Sequence, residues 1–201
     1  MGSMYVTEFL EEAASIAGRI DGDQIEAMAS ELAIVKARGG RVFFAGSGGG
    51  AGHASHATCD FRKLLGIESY SVSDNVTELT ARINDESWED SYTSWLKASR
   101  FGSKDCLFVF SVGGGDADRQ VSMQLVRAID YAREVGAAIV GVAGRDGGHL
   151  ARHGVAVLIP SIHPGNVTAQ TEGFQAVVWH LLLGHPSLMA ARPVWESIEE
   201  R

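Results

Sequence analysis

The chain has 201 residues, 45% hydrophobic and 21% charged, the balance of a folded globular chain rather than a disordered one. With 17 basic and 25 acidic residues it carries a net charge of −8 at pH 7, and no block of like charge offers a nucleic-acid backbone a partner. Two cysteines make no disulfide framework, and no apolar run approaches the roughly 20 residues that cross a bilayer. Secreted and membrane classes are therefore excluded in favour of a reducing, cytoplasmic setting.

Helical spacing of Val6, Phe9, Leu10, Ala13 and Ile16 predicts a first helix over 5–18, and a second runs from about Asp23 to Ala37, stopped by Gly39-Gly40. The period then changes. Arg41–Ala45, Ile67–Val72, Cys106–Ser111, Ala138–Val142 and Val155–Ile159 read as buried strands. Between them lie helical stretches at His53–Leu65, Asn75–Arg100 (broken near Asn84-Asp85), Gln120–Glu134 and around Leu150. A last helix spans Thr168 to about Leu183. Asn75-x-x-Glu78 resembles a capping box with Asn in the usual Ser or Thr place. Strand and helix alternate, as parallel strands require. The expectation is an α/β fold: a doubly wound, five-stranded parallel sheet behind an N-terminal helical pair. One domain is expected over the whole chain, with a helical segment at about 4–38 and a sheet core at about 41–185. The tail from Pro186 to Arg201 receives no role.

Glycine is in excess, 24 residues or about 12% against a usual ~7%. The glycines cluster in Gly46-Ser-Gly-Gly-Gly-Ala-Gly52, Gly113-Gly-Gly115 and Gly144-Arg-Asp-Gly-Gly148, each directly after an apolar run. In an open parallel sheet, ligands bind at the carboxyl ends of strands. Glycines there let backbone amides, such as those of Gly48, Gly49, Gly113 and Gly114, approach an anion, and the next helix N-terminus adds favourable partial charge. Ser47 and Ser111 add hydroxyl donors. A single such loop could be a bare strand-to-helix turn; two favour a phosphate site. Arg119 either assists that phosphate or opens a solvated helix. No Gly-Lys-Ser/Thr follows either loop, so this is no P-loop. Gly46-x-Gly48-x-x-Ala51 with Asp74 fits a loose dinucleotide fingerprint, but the helix that would receive the pyrophosphate carries His53, His56 and Asp60, which suit chemistry better than cofactor packing.

His56 and Asp60, four apart, face one side of a helix turn, with His53 three residues before. Glu172 and His180 lie on the last helix. Carboxylates near imidazoles supply general acid and base groups and zinc ligands. Spacing alone leans toward packing histidines and solvated acids. Glu172 and His180 are eight residues apart, about 12 Å along a helix, too far for one ion without irregularity or a division between roles or subunits.

Taken together, Gly46-Ser-Gly-Gly-Gly, His56-x-x-x-Asp60, Asn84-Asp85, Ser111-Val-Gly-Gly-Gly, Gly144-Arg-Asp-Gly-Gly148 and Glu172…His180 resemble the sedoheptulose-7-phosphate isomerase (phosphoheptose isomerase) family of SIS-domain proteins, over roughly 5–185. The resemblance implies a flavodoxin-like sheet, a homotetramer with active sites between subunits, and interconversion of sedoheptulose 7-phosphate with a manno-heptose 7-phosphate, with zinc in several members. It matches Asp60 and His180 to the catalytic pair, His56, Asp60, Glu172 and His180 to the metal ligands, and Asp85 to an aspartate near the sugar. Ser47, Gly48, Gly49, Ser111, Gly113 and Gly114 fall on the two substrate loops. The loops depart from the family pattern: Ser47 stands for Asn and Gly50 for Ser, while Val112, Gly113 and Asp116 replace a Thr and two serines. Asp116 would repel a phosphate placed beside it. A non-catalytic sugar-phosphate regulator is the competing class, opposed by the presence of His56, Asp60 and His180 together. Trp88, Trp95 and Trp179 read as packing or subunit contacts, Phe43, Phe44, Phe108 and Phe110 as sheet core, and His149 and His153 as surface residues.

Overall fold

A computed structural model describes residues 2–189. Positions 190–201, most of the expected tail, lie outside the described residues. In chain order the elements are α1 (Gly2–Ala17), α2 (Gly22–Ala37), β1 (Val42–Gly46), α3 (Gly49–Leu65), β2 (Ser69–Ser71), α4 (Val76–Asp85), α5 (Ser91–Ala98), β3 (Cys106–Ser111), α6 (Met123–Glu134), β4 (Ala138–Gly144), α7 (Gly148–His153), β5 (Val155–Ile159) and, after a turn at Pro164–Asn166, α8 (Val167–Leu183). All strand pairs are parallel and the order is β2-β1-β3-β4-β5. This is the expected doubly wound sheet.

Because the sheet is covered on both faces, its central strands are apolar without interruption. Alternate residues feed two layers. Phe44, Cys106, Phe108 and Phe110 point into the layer closed by α2, α3 and α8, where Ile16, Met28, Phe61 and Trp179 are fully buried. Phe43, Leu107 and Val109 point the other way, onto Tyr92, Leu96, Leu125 and Ile129 of α5 and α6. Phe44, Phe61, Phe108 and Phe110 form one aromatic cluster with centroids 4.8–6.3 Å apart.

Helix ends follow local chemistry. Asp21 caps α2 through Asp23 N, and Asn75 Oδ1 accepts from Thr77 N and Glu78 N at the start of α4. Only half of the expected capping box forms, since Glu78 pairs with Arg82 instead. The interruption at Asn84-Asp85 is real: α4 ends at Asp85 and α5 begins at Ser91. Helix α6 starts at Met123, later than the expected Gln120, because Asp116 and Val121 bridge in antiparallel fashion and Gln120 and Ser122 take positive φ. The tail is not wholly without a role. Leu188 is buried in the α2/α8 layer and its carbonyl accepts from Lys36 Nζ at 2.6 Å.

Helix α3 leaves β1 toward one face and α6 leaves β3 toward the other, so the carboxyl ends of these adjacent strands form the topological switch point. Both richest glycine loops meet there.

Candidate active site

At the switch point opens a cleft of about 630 Å³, lined among others by Ser47, Ser111, Gly113, Asp116 and Arg119. Ser47 Oγ accepts from Gln124 Nε2, and Ser111 Oγ accepts from the Gly114 amide at 3.0 Å. Gly48, at φ 55°, turns the chain into α3, whose first residue is Gly49. Asp116 is occupied within its own loop: its Oδ1 accepts from the Asp118 and Arg119 amides at 3.0 Å each, and its Oδ2 lies 3.7 Å from Arg119 Nε. Arg119 therefore stands in a turn, not at a helix start. Two further cations, assigned to the site by no motif, complete the cleft. Arg145 and Arg152 line the same cleft, from the β4 loop and from α7. The third glycine cluster, Gly144-Arg-Asp-Gly-Gly148, was the signal that could have found Arg145; nothing local marks Arg152.

Gly114 holds the cleft together. An added Cβ there would lie 1.8 Å from the Gly147 carbonyl oxygen, and its φ is +73°, so only glycine lets the loops after β3 and β4 touch.

The second part of the site lies along α3 and α8. His56, Asp60 and His180 each bring one ligand atom to within 4.8 Å of the others. His56 Nε2 is 3.4 Å from Asp60 Oδ2, and the two imidazole centroids are 5.6 Å apart. Asp60 is buried at 8% exposure, whereas His56 and His180 face outward. Buried Trp179 supports the His56 ring edge-on at 4.8 Å. His180 Nδ1 lies 2.8 Å from the Ala176 carbonyl, which can only accept. Nδ1 therefore carries the proton and Nε2 keeps a free lone pair, the arrangement that prepares an imidazole for a metal or a proton. The imidazole and carboxylate of α3 thus meet the late histidine within one chain, against what spacing alone suggested.

Glu172 does not join them. Eight residues of helix separate it from His180, and its carboxylate lies on the first turn of α3: a Cβ on Gly49 would be 2.5 Å from Glu172 Oε2. His53 sits beside it. Burial, the largest influence, holds the His53 pKa below the ordinary 6.5, although the Glu172 carbonyl and carboxylate pull the other way. The unfolded chain then takes up a proton that the folded chain refuses, so stability is full above pH 6.5 and falls as the pH drops through that value toward the folded pKa. Urea midpoints of the wild type are expected to fall more between about pH 7.5 and 5 than those of His53→Gln; equal slopes would contradict this. Asp85 is exposed at the last residue of α4, where it accepts from Asn84 Nδ2 at 2.7 Å, and it does not line the cleft. Asp74, the acid of the dinucleotide fingerprint, accepts from Ser55 Oγ at 2.5 Å.

A 2-1-3-4-5 parallel sheet with glycine loops at its switch point and a His–Asp–His group on the adjoining helices defines a flavodoxin-like ligand-binding domain. No family model matches the chain. It is 29% identical over 185 residues to the phosphoheptose isomerase of Solidesulfovibrio magneticus, covering 88% of this chain and 85% of that one. It is 30% identical over 173 residues to that of Mycobacterium tuberculosis, covering 80% and 84%. The phosphoheptose isomerase structure from Neisseria gonorrhoeae superposes with a TM-score of 0.80 at 18% identity, over 92% of this chain and 98% of that one. The chain belongs to the phosphoheptose isomerase family. Among the described residues no helix is long and apolar enough to cross a membrane.

Proposed function

We propose that the protein is an aldose–ketose isomerase that interconverts sedoheptulose 7-phosphate and a manno-heptose 7-phosphate. The observation that carries this reading is the convergence of His56, Asp60 and His180 beside a cationic cleft. A sugar-phosphate regulator would need the cleft but not the trio.

The phosphate is assigned to the cleft, held by the hydroxyls of Ser47 and Ser111, the Gly113 amide and Arg119, Arg145 and Arg152. Arg145 makes no hydrogen bond or ion pair with any other described residue, so its charge is free for an anion. The inward aspartate that threatened repulsion is offset by its bonds to its own loop. From the first residue of α3 to His56 the helix rises about 10 Å, a span suited to a long sugar reaching from its phosphate to its carbonyl end. There Asp60 removes a proton from C1 of the ketose while His180, having first taken a proton from water on its Nε2 lone pair, donates that proton to the C2 oxygen, giving the enediol. Return of a proton to C2 and loss of the O1 proton complete the aldose.

The donor set, two imidazoles and a carboxylate, fits zinc, and His56, Asp60 and His180 would hold it without Glu172. With an ion on its Nε2, His180 would act as a ligand rather than an acid, and the ion would supply the polarisation of the sugar carbonyl. A homotetramer with sites between subunits is the corresponding assembly. Supporting it, Met4, Tyr5, Val6 and Leu10 on α1, and Val177 and Leu181 flanking His180 on α8, are large apolar side chains left exposed. Both cysteines, Cys59 and Cys106, are free thiols, in keeping with a cytoplasmic setting.

The test is direct assay with sedoheptulose 7-phosphate, with and without added zinc, for the wild type and for Arg145→Ala with Arg152→Ala. Turnover is expected, with the double variant raised at least about tenfold in KM. Tight binding of the sugar phosphate with no turnover under either condition would favour the regulator.

A further inference from the structure

On the opposite face of the sheet, α6 and α7 assemble a second group of donors. Asp130 of α6 and His149 and His153 of α7 each bring a ligand atom to within 4.8 Å of the others. His149 is buried, correcting the expectation of two surface histidines, and its Nε2 lies 2.9 Å from Asp130 Oδ1. Four-residue spacing stacks the two imidazoles on one side of α7, edge to face, with centroids 4.4 Å apart. A carboxylate from one helix and two imidazoles from its neighbour therefore converge on one point.

We propose that Asp130, His149 and His153 form a second binding site, for a zinc-class divalent cation, separate from the His56–Asp60–His180 group. Two nitrogen donors and one carboxylate suit zinc and its neighbours in the transition series, and disfavour magnesium and calcium, which take oxygen ligands. Tetrahedral zinc at about 2.0–2.1 Å from each ligand needs donors roughly 3.3 Å apart. The His149–Asp130 pair is already closer than that, and rotation of the half-buried His153 ring brings in the third. On binding, the metal replaces the His149–Asp130 hydrogen bond and the proton of that imidazole passes to Nδ1. Three protein ligands leave the fourth position to water. Two cations stand nearby. Arg133 Nη1 lies 3.5 Å from Asp130 Oδ1 in an exposed pair that is weakly held and readily surrendered, and Arg152 points from α7 toward the cleft.

The position gives the site a consequence. The His149 and Leu150 amides donate to the Gly115 and Gly114 carbonyls, and Gly148 and Arg152 line the cleft. A cation tying α7 to α6 would restrain the helix on which one cleft wall is built.

The inference does not rest on the proposed activity, and its test needs no substrate. The full chain is stripped with a chelator, dialysed against zinc and assayed for bound metal. His153→Ala and Asp130→Asn are each expected to lose about one zinc per chain relative to wild type, while His56→Ala combined with His180→Ala retains about one. Cobalt(II) added to that double variant should give a visible ligand-field band that His153→Ala abolishes. Wild-type zinc content in both His153→Ala and Asp130→Asn, or no metal in the folded His56→Ala/His180→Ala chain, overturns the proposal. Asp130 is exposed, so its conservative replacement keeps the test valid if His153→Ala misfolds.

Discussion

Asp60→Asn and His180→Gln are each expected to leave a folded protein whose isomerase turnover is reduced by at least about 10²–10⁴-fold. Both replacements keep side-chain size. Asp60 loses only the ability to accept a proton or hold a cation, while its neighbour His56 remains 3.4 Å away with an amide to face. His180 is exposed, and its replacement gives up only the stacking of its ring on buried Trp179. Circular dichroism should therefore match wild type, thermal melting should fall by no more than about 4 °C, and kcat with sedoheptulose 7-phosphate should collapse. Undiminished kcat in either variant would remove the proton-transfer assignment and leave the family membership untouched.

The second large effect concerns the cleft wall. Gly114→Ala is expected to destabilise the fold by about 3 kcal/mol or more, because the methyl group must displace the Gly147 carbonyl and the backbone must keep a left-handed φ. For a chain of this size that is roughly 6–12 °C in melting temperature. Gly113→Ala is the control. Nothing lies within 4 Å of a Cβ built there, and its φ is not positive, so a change within about 0.5 kcal/mol is expected. If the two variants melted alike, the backbone contact between the loops would carry no stability.

What could be read from the chain follows from how local each signal is. The strands were legible because β1, β3 and β4 are buried on both faces and so are written as continuous apolar runs. The expected 67–72 strand shrank to Ser69–Ser71, although Ile67 and Val72 are buried and the Val72 amide still donates to the Phe44 carbonyl of β1. His56 and Asp60 were legible as a pair since one helix turn carries both. Their meeting with His180 was not, because it depends on how α8 packs against α3. The same holds for Asp130, which nothing in the spacing of His149 and His153 announces. Arg152 reaches the cleft only through the seating of α7 on the Gly114 and Gly115 carbonyls. Glu172 was placed with the ligands by resemblance, and the helix rise already noted from its spacing explains why its carboxylate goes elsewhere.

That destination brings two distant positions in the chain together. The carboxylate of Glu172 fills the space where any side chain at Gly49 would begin. An alanine at 49 would therefore make the flexible Glu172 side chain swing its carboxylate aside, a small cost in packing but a displacement of the acid that acts on His53. The bare residue that opens the third helix thus serves less as a hinge than as a parking place, and what a methyl group there would change is the charge felt by the neighbouring imidazole rather than the fold.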